Sequence, residues 1–404
     1  MMQAALSTLG ALRCALLAAL AVLLAAGCAA PPVASSSTNE LPFDQAVVQA
    51  TDALVAQTQK LPAFLAKVES KLVKRGVVLD PMLDAGSGQQ TAATLLLEKR
   101  VTETFAKYDQ FEFLPFRSAG LAKAQVLLTG TMTRVQTARP SGAFRIDLAL
   151  TDLKSGSLIA QSSAVASGDG VDTSPTAYYR DSPVLTKDKV VEGYIRTSAT
   201  PPGQRADAAY FERINVATVI DEATTLYNAE RYQDSLAQYR QALSNPAGEQ
   251  LRVLNGIYLA NAKLGRNAEA EQAFGKVVAL GIASNQLGVK FLFNPGGTEF
   301  WSDPKVSGPY AMWLRQIARE STSAKVCMSI VGHTSRTGSE QVNDVLSLQR
   351  ATYIRQRLST EASELAGRTK PQGMGFRQNI VGSGTDNVVD ALDRRVEFKI
   401  VPCG

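Results

Sequence analysis

The chain holds one histidine, His333, in 404 residues, and that scarcity excludes more chemistry than any motif present. A Ser-His-Asp or Cys-His arrangement would have to take this single ring as its base, and a catalytic zinc would find no cluster of imidazoles. Cysteine is nearly as scarce, with four residues at positions 14, 28, 327 and 403. Charge of one sign is also missing: 42 basic side chains face 37 acidic ones, which offers no basic field for nucleic acid. The apolar run 14–26, preceded by Arg13, is too short to span a bilayer. The expectation is a non-enzyme without cofactor or metal. The length suffices for two to four domains with cores of their own.

What is present is concentrated in residues 332–351. The apolar, β-branched run 326–331 reads as a buried strand, residues 332–338 as a loop, and the following residues as a helix. On that helix Asn343, Ser347 and Arg350 stand at i, i+4 and i+7 and share one face with Leu346, Ile354 and Leu358. Polar groups inside an apolar stripe are satisfied or used. Two readings stay open: three groups that tether loops, or a half-buried cradle for a ligand.

The residues Gly332-His333-Thr334, Gly338, Asn343, Leu346-Ser347, Arg350-Ala351 and the terminal Asp393-Arg394-Arg395-Val396-Glu397 resemble the signature of the OmpA-like peptidoglycan-binding domain. The resemblance covers the chain from Val289 onward and includes an opening strand at residues 290–294. It implies that Asn294, His333, Thr334, Ser335, Asn343, Ser347, Arg350 and Arg395 line the site. In that family the helix arginine pairs with a carboxylate of diaminopimelate in the stem peptide, and an aspartate after His-Thr takes the ammonium. Arg350 matches the arginine; Ser335 stands where the aspartate is expected. A serine offers an ammonium a neutral acceptor, a loss of roughly 1–3 kcal/mol. Glu340 and Asp344 are the nearby carboxylates that could substitute.

At the other end, Leu24-Ala25-Ala26-Gly27-Cys28 resembles a bacterial lipobox, with residues 1–27 as signal peptide and Cys28 as the lipidated residue. Ala29-Ala30 fits outer-membrane sorting, and residues 28–40 read as a polar tether. With Cys14 removed and Cys28 lipidated, Cys327 and Cys403 remain as a pair in an oxidising compartment, where a disulfide is expected.

Residues 41–195 read as a mixed α/β domain with helices over 43–59 and 91–108 and strands over 76–80, 111–114, 126–132 and 144–150, the last alternating as a half-exposed strand. The motifs Leu79-Asp80-Pro81, Gly88-Gln89-Gln90-Thr91, Leu128-Thr129-Gly130 and Leu150-Thr151-Asp152 resemble N-terminal domains of envelope lipoproteins of the Lpo, CsgG and FlgO kinds, which bind proteins. The stretch 86–91 reads as a capped helix entrance, since it has no phosphate-loop lysine, and Asp80 and Asp84 as turn and cap residues. Tyr178-Tyr179 reads as a packing staple and residues 196–210 as a linker. Residues 211–284 repeat at a shift of 35, with Arg231, Tyr239 and Ala242 matching Arg266, Phe274 and Val277; this resembles a pair of tetratricopeptide repeats, with Ala237 and Ala270 allowing close helix approach. Residues 285–404 complete a multidomain α+β chain whose last domain is an α/β sandwich with a mixed sheet.

The expected protein is therefore an outer-membrane lipoprotein on the periplasmic face that tethers the envelope to peptidoglycan and presents modules to a periplasmic protein partner. The alternatives are a regulatory activator of a peptidoglycan synthase and a cell-wall anchor of a secretion system or appendage.

Overall fold

Four strands after the first helix set the frame of the N-terminal half: β2 (Arg75–Leu79), β4 (Phe111–Leu114), β5 (Val126–Val135) and β6 (Ala143–Asp152), with β7 (Leu158–Ser167) continuing the meander. The computed structural model describes residues 35–59, 74–135, 137, 142–294, 296–382, 384 and 389–403. The stretch expected as a signal peptide and Cys28 lie outside the described residues. Residues 35–40, read as tether, enter β1 (Ser35–Leu41), which pairs parallel with β7. The sheet order is β1-β7-β6-β5-β2-β4, mixed in direction, with the short β3 (Leu83–Asp84) added beside β5.

Neighbouring residues of the central strands go to different layers. Val77 and Leu128 join a core with α1 (Phe43–Thr58) and α2 (Ala92–Phe105), whereas Val78 and Leu127 join Tyr194 and Tyr210 on the other side. Alternate side chains of a strand point to opposite faces, so the sheet is covered twice. This corrects the reading of 144–150 as half exposed: within that stretch Arg145 alone is exposed. Its remaining surface is taken by a helix layer on either face. Helix α2 starts where the sequence indicates, with Thr91 accepting from the Thr94 amide and Thr94 returning the bond.

Residues 169–211 tie this half to the rest. Tyr178 is buried, donates to the Arg252 carbonyl at 2.5 Å, and meets Tyr179, Tyr227 and Tyr239 ring to ring. Asp188 caps α3 (Lys189–Ser198) with one carboxylate oxygen and accepts from the Leu251 amide with the other, so one residue satisfies orphan donors of two helices. The residues read as a linker are packed. The Gln204 carbonyl accepts from the Leu158 amide, and Tyr210 is buried against Tyr194.

Helices α4 (Ile214–Asn228), α5 (Tyr232–Leu243), α6 (Leu251–Lys263) and α7 (Asn267–Ala283) then form two consecutive pairs. Ala270 is buried as expected of a close crossing, but Ala237 is exposed. The close approach is made instead by Gly256, where any side chain would enter the Tyr239 ring.

The C-terminal sheet has the order β10-β9-β11-β8, from β8 (Leu287–Val289), β9 (Cys327–Gly332), β10 (Thr369–Gly373) and β11 (Val396–Val401). Its helices are α8 (Tyr310–Ser323) and α9 (Glu340–Glu361), and α9 is the crossover between the parallel β9 and β10. The opening strand is shorter and earlier than the expected 290–294. Backbone donors there go to the Pro183 carbonyl, the Tyr310 hydroxyl and the Glu299 carbonyl rather than to a ladder. Phe291 and Phe293 are buried all the same, against Phe300, Tyr310 and Trp313. One core runs from Tyr178 through the helix pairs to Phe398, and Trp313 of α8 donates to Tyr258 of α6 at 2.9 Å. Cys327 and Cys403 form a disulfide. Among the described residues no helix is long and apolar enough to cross a membrane.

Candidate functional site

The first half of α9 reverses the usual burial pattern of a helix on a sheet. Asn343, Ser347 and Arg350 are 4 %, 0 % and 5 % exposed, whereas Val342, Val345 and Leu348 are 62 %, 54 % and 44 % exposed. From Ala351 the pattern is ordinary, with Ile354 and Leu358 buried. Leu346, expected on the inner face, is only partly buried.

Each inward polar group holds a loop. Asn343 Nδ2 donates to the Thr337 and Ser339 carbonyls at 2.7 and 3.0 Å, closing residues 333–339 onto the helix. Ser347 Oγ donates to the Asp344 carbonyl and accepts from the Gly375 amide at 2.9 Å, while the Gly375 carbonyl accepts from the Thr334 amide. Arg350 donates to the Gly297 and Asn294 carbonyls at 3.1 and 3.4 Å, and its guanidinium lies 4.9 Å from the centre of the Phe293 ring. Three segments, around Asn294 and Gly297, over 333–339 and over 374–382, thus meet over one helix face. Tethering and cradle-building are the same set of bonds here.

The other expected site residues divide. Asn294 contributes its carbonyl to Arg350 and its side-chain oxygen to the Ser302 amide. Ser335 is buried, its hydroxyl 3.4 Å from that of Thr337. The Thr334 hydroxyl and both His333 ring nitrogens are buried without a hydrogen-bond partner among the described residues. The nearest charged group to the His333 ring is the Glu397 carboxylate, 3.6 Å from Nε2, and the His333 amide donates to the Arg395 carbonyl. Burial pushes the ring below its ordinary titration range, against the pull of the Glu397 carboxylate. Arg395 stands under the loop rather than in it. It binds Glu397 at 2.6 Å and the Gln378 carbonyl at 3.1 Å. Burial opposes the Glu397 charge, but the nearby His333 ring and the Arg395 guanidinium outweigh it and hold the carboxyl well below the usual range.

Two contributors were not legible as such. Asp393 accepts from the Ile380, Val381 and Gly382 amides at 2.7, 3.0 and 2.8 Å, and so shapes the 374–382 loop. Asn379, with its amide nitrogen turned toward the carbonyls, donates to Thr334 at 2.9 Å. Asp393 sits in the quoted terminal motif, which was a usable signal; nothing in the sequence marks Asn379. Glu340 and Asp344 do not substitute for a carboxylate at position 335, because both hold Arg377, at 3.1 and 2.6 Å. The cradle thus contains the buried Arg350 guanidinium, held on the Gly297 and Asn294 carbonyls, and neutral groups. Its described carboxylates are engaged by the protein itself.

Asp84 is a turn residue as read, accepting from the Ser87 amide and hydroxyl. Asp80 is not. It is buried, accepts from the Tyr210 hydroxyl at 2.5 Å, and burial pushes its carboxyl up to about 7. Among the described residues there is no group of three or more side chains suited to a metal.

No protein-family model and no curated protein matches the chain. Among solved structures, the peptidoglycan-associated lipoprotein from Burkholderia pseudomallei is 23 % identical over 28 % of this chain and 89 % of its own, with a TM-score of 0.24. The cell wall anchor of the T6SS from Pseudomonas aeruginosa is 19 % identical over 28 % of this chain and 78 % of its own, with a TM-score of 0.24. The periplasmic domain of Helicobacter pylori MotB is 16 % identical over 29 % of this chain and 74 % of its own, also with a TM-score of 0.24.

Proposed function

We propose that the chain is an envelope lipoprotein that binds peptidoglycan through the cradle on α9, with Arg350 taking a carboxylate of the stem peptide. The observation that carries this is the reversal on α9: three polar side chains are drawn inside and three apolar ones left in water, at the convergence of three loops. Local rules broken in one place mark function more often than fold. A planar, always-charged guanidinium on a floor of carbonyls suits a carboxylate, to which it can donate two parallel bonds. Action by binding rather than catalysis is supported by the enclosure of the chain's single histidine, which is 1 % exposed.

The remainder of the reading is lipidation at Cys28, outer-membrane tethering and a periplasmic protein partner. The four helices are two repeat-like pairs, and the side facing Tyr178 is filled by the chain's own residues 177–181. A partner would therefore meet another face of the helices or the N-terminal domain. Co-sedimentation of the full chain with purified cell-wall sacculi tests the binding claim: the wild type pellets with the wall and Arg350→Ala stays in the supernatant. Equal pelleting of both would overturn the role given to Arg350.

A further inference from the structure

Residues 35–40, expected to be tether, belong to the edge strand β1, which leaves seven residues, 28–34, between the start of the mature chain and the sheet. Fully extended, they reach about 25 Å. β1 runs parallel to β7 with Ser35 level with Ser162, so the chain arrives from the end of the sheet where Leu158 begins β7. That end is four residues from Ser162, on the order of 13 Å. No more than about 12 Å of tether can therefore project past it. Residues 29–34 carry no charged side chain. The charges nearest to a lipid on Cys28 are those that the folded sheet presents.

The strand registers put the starts of β2, β4, β5 and β7 and the finish of β6 at this same end. Its loops expose Lys74 before β2, Lys107 before β4, Lys123 before β5, Lys154 in the β6–β7 hairpin, and Arg205, which bridges to Ser157 of that hairpin. None of the five forms an ion pair among the described residues. They are spread from β7 to β4, on the order of 20 Å across the sheet. Against them stand the exposed Asp109 and Glu112; Asp152 is engaged, accepting from the Ser155 amide and hydroxyl. Past the other end of β7 the exposed charges are Asp169 and Asp172. The near balance of charge over the whole chain thus conceals a polarity in its N-terminal half.

We infer that this end of the N-terminal sheet is a docking surface for the anionic lipid headgroups of the membrane that holds Cys28, and that it fixes which side of the domain faces that membrane. The inference rests on the reading of Cys28 as lipidated. Attraction between basic side chains and anionic lipid falls off within a Debye length, about 8 Å, and a tether this short keeps the five cations near that range. The acyl chains supply the hold; the cations supply the orientation.

The test uses the mature chain from residue 28 with Cys28→Ser, which carries no lipid. It is co-sedimented at low ionic strength with vesicles of phosphatidylcholine alone and of equimolar phosphatidylcholine and phosphatidylglycerol. The chain is expected to pellet with the anionic vesicles and not with the neutral ones. The combined Lys107→Glu, Lys123→Glu and Lys154→Glu variant is expected to weaken that binding roughly a hundredfold, at about fivefold for each cation. Lys276→Glu, Lys305→Glu and Lys370→Glu together make the same change of net charge at exposed positions outside this half and are expected to leave binding unchanged. Thermal unfolding confirms that both variants are folded. Equal weakening in the two variants would be an effect of net charge and would overturn the surface, as would binding that survives the first variant. No preference for the anionic vesicles would leave this end to an acidic protein and overturn the inference, with the lipidation of Cys28 still standing. Lipidation is read separately, from the mass of the Cys28 peptide of protein purified from membranes. Its absence would remove the lipoprotein reading and this inference with it.

Discussion

Helices α2 and α9 each lie on a sheet, and they solve the problem in opposite ways. α2 buries Ala93, Leu97, Val101 and Phe105 against its sheet; α9 in its first half buries Asn343, Ser347 and Arg350 and leaves Val342, Val345 and Leu348 in water. The first arrangement gains from removing apolar surface from water. The second gives up that gain for hydrogen bonds that fix loops in place, a trade that favours a site over a core. Stability in the C-terminal domain must then come from elsewhere: the aromatic layer around Trp313, the core shared with α6 and α7, and the disulfide.

The largest effect should follow from removing that last support. Cys327 and Cys403 are 76 residues apart, and losing the cross-link should cost about 4 kcal/mol in the chain-entropy account. Denaturant titration under reducing and oxidising conditions measures it; no shift in the midpoint would show that the C-terminal domain does not depend on it. Next comes Leu97→Ala on α2, fully buried, for which about 2–5 kcal/mol of destabilisation is expected from lost transfer energy and the cavity left behind. Ser347→Ala on α9 should cost less, roughly 1–3 kcal/mol, by orphaning the buried Gly375 amide. If Ser347→Ala destabilised more than Leu97→Ala, the contrast between the two helices would be mistaken.

A pH-dependent effect separates the halves again. Burial raises the Asp80 carboxyl to about 7, above its ordinary value near 3.9, so the folded chain holds that proton more tightly than the unfolded chain. Its contribution is complete below about pH 4 and is lost as pH rises through about 7. The melting temperature of Asp80→Asn should therefore decline less between pH 5 and pH 8 than that of the wild type. Parallel curves would show that Asp80 is not the group concerned. The smallest effect is expected for Val345→Ser, within about 0.5 kcal/mol, because its side chain is already in solvent.

Much of the candidate site was legible because its signals are local. The loop after β9, the helix that follows it and the i, i+4, i+7 trio all follow from composition and spacing, and the structure brings them together. What was not legible depends on distant partners. Asp80 follows a short strand and precedes a proline, as a turn residue would, yet Tyr210 arrives from 130 residues away to bury it. Residues 290–294 were expected as a strand from the resemblance, but the Tyr310 hydroxyl and the Pro183 carbonyl take the bonds a ladder would use. Gly256 gave no sign of its contact because only the position of the Tyr239 ring explains it.

The central claim is that Arg350 presents a buried cation to a carboxylate of the wall peptide, beside a neutral Ser335. Calorimetric titration of the full chain with a diaminopimelate-containing stem peptide tests it most directly, next to Arg350→Ala and Ser335→Asp. The account predicts saturable heat for the wild type, its loss in Arg350→Ala, and binding tighter by about one to two decades in Ser335→Asp as the ammonium gains a charged partner. Undiminished heat in Arg350→Ala would contradict the account.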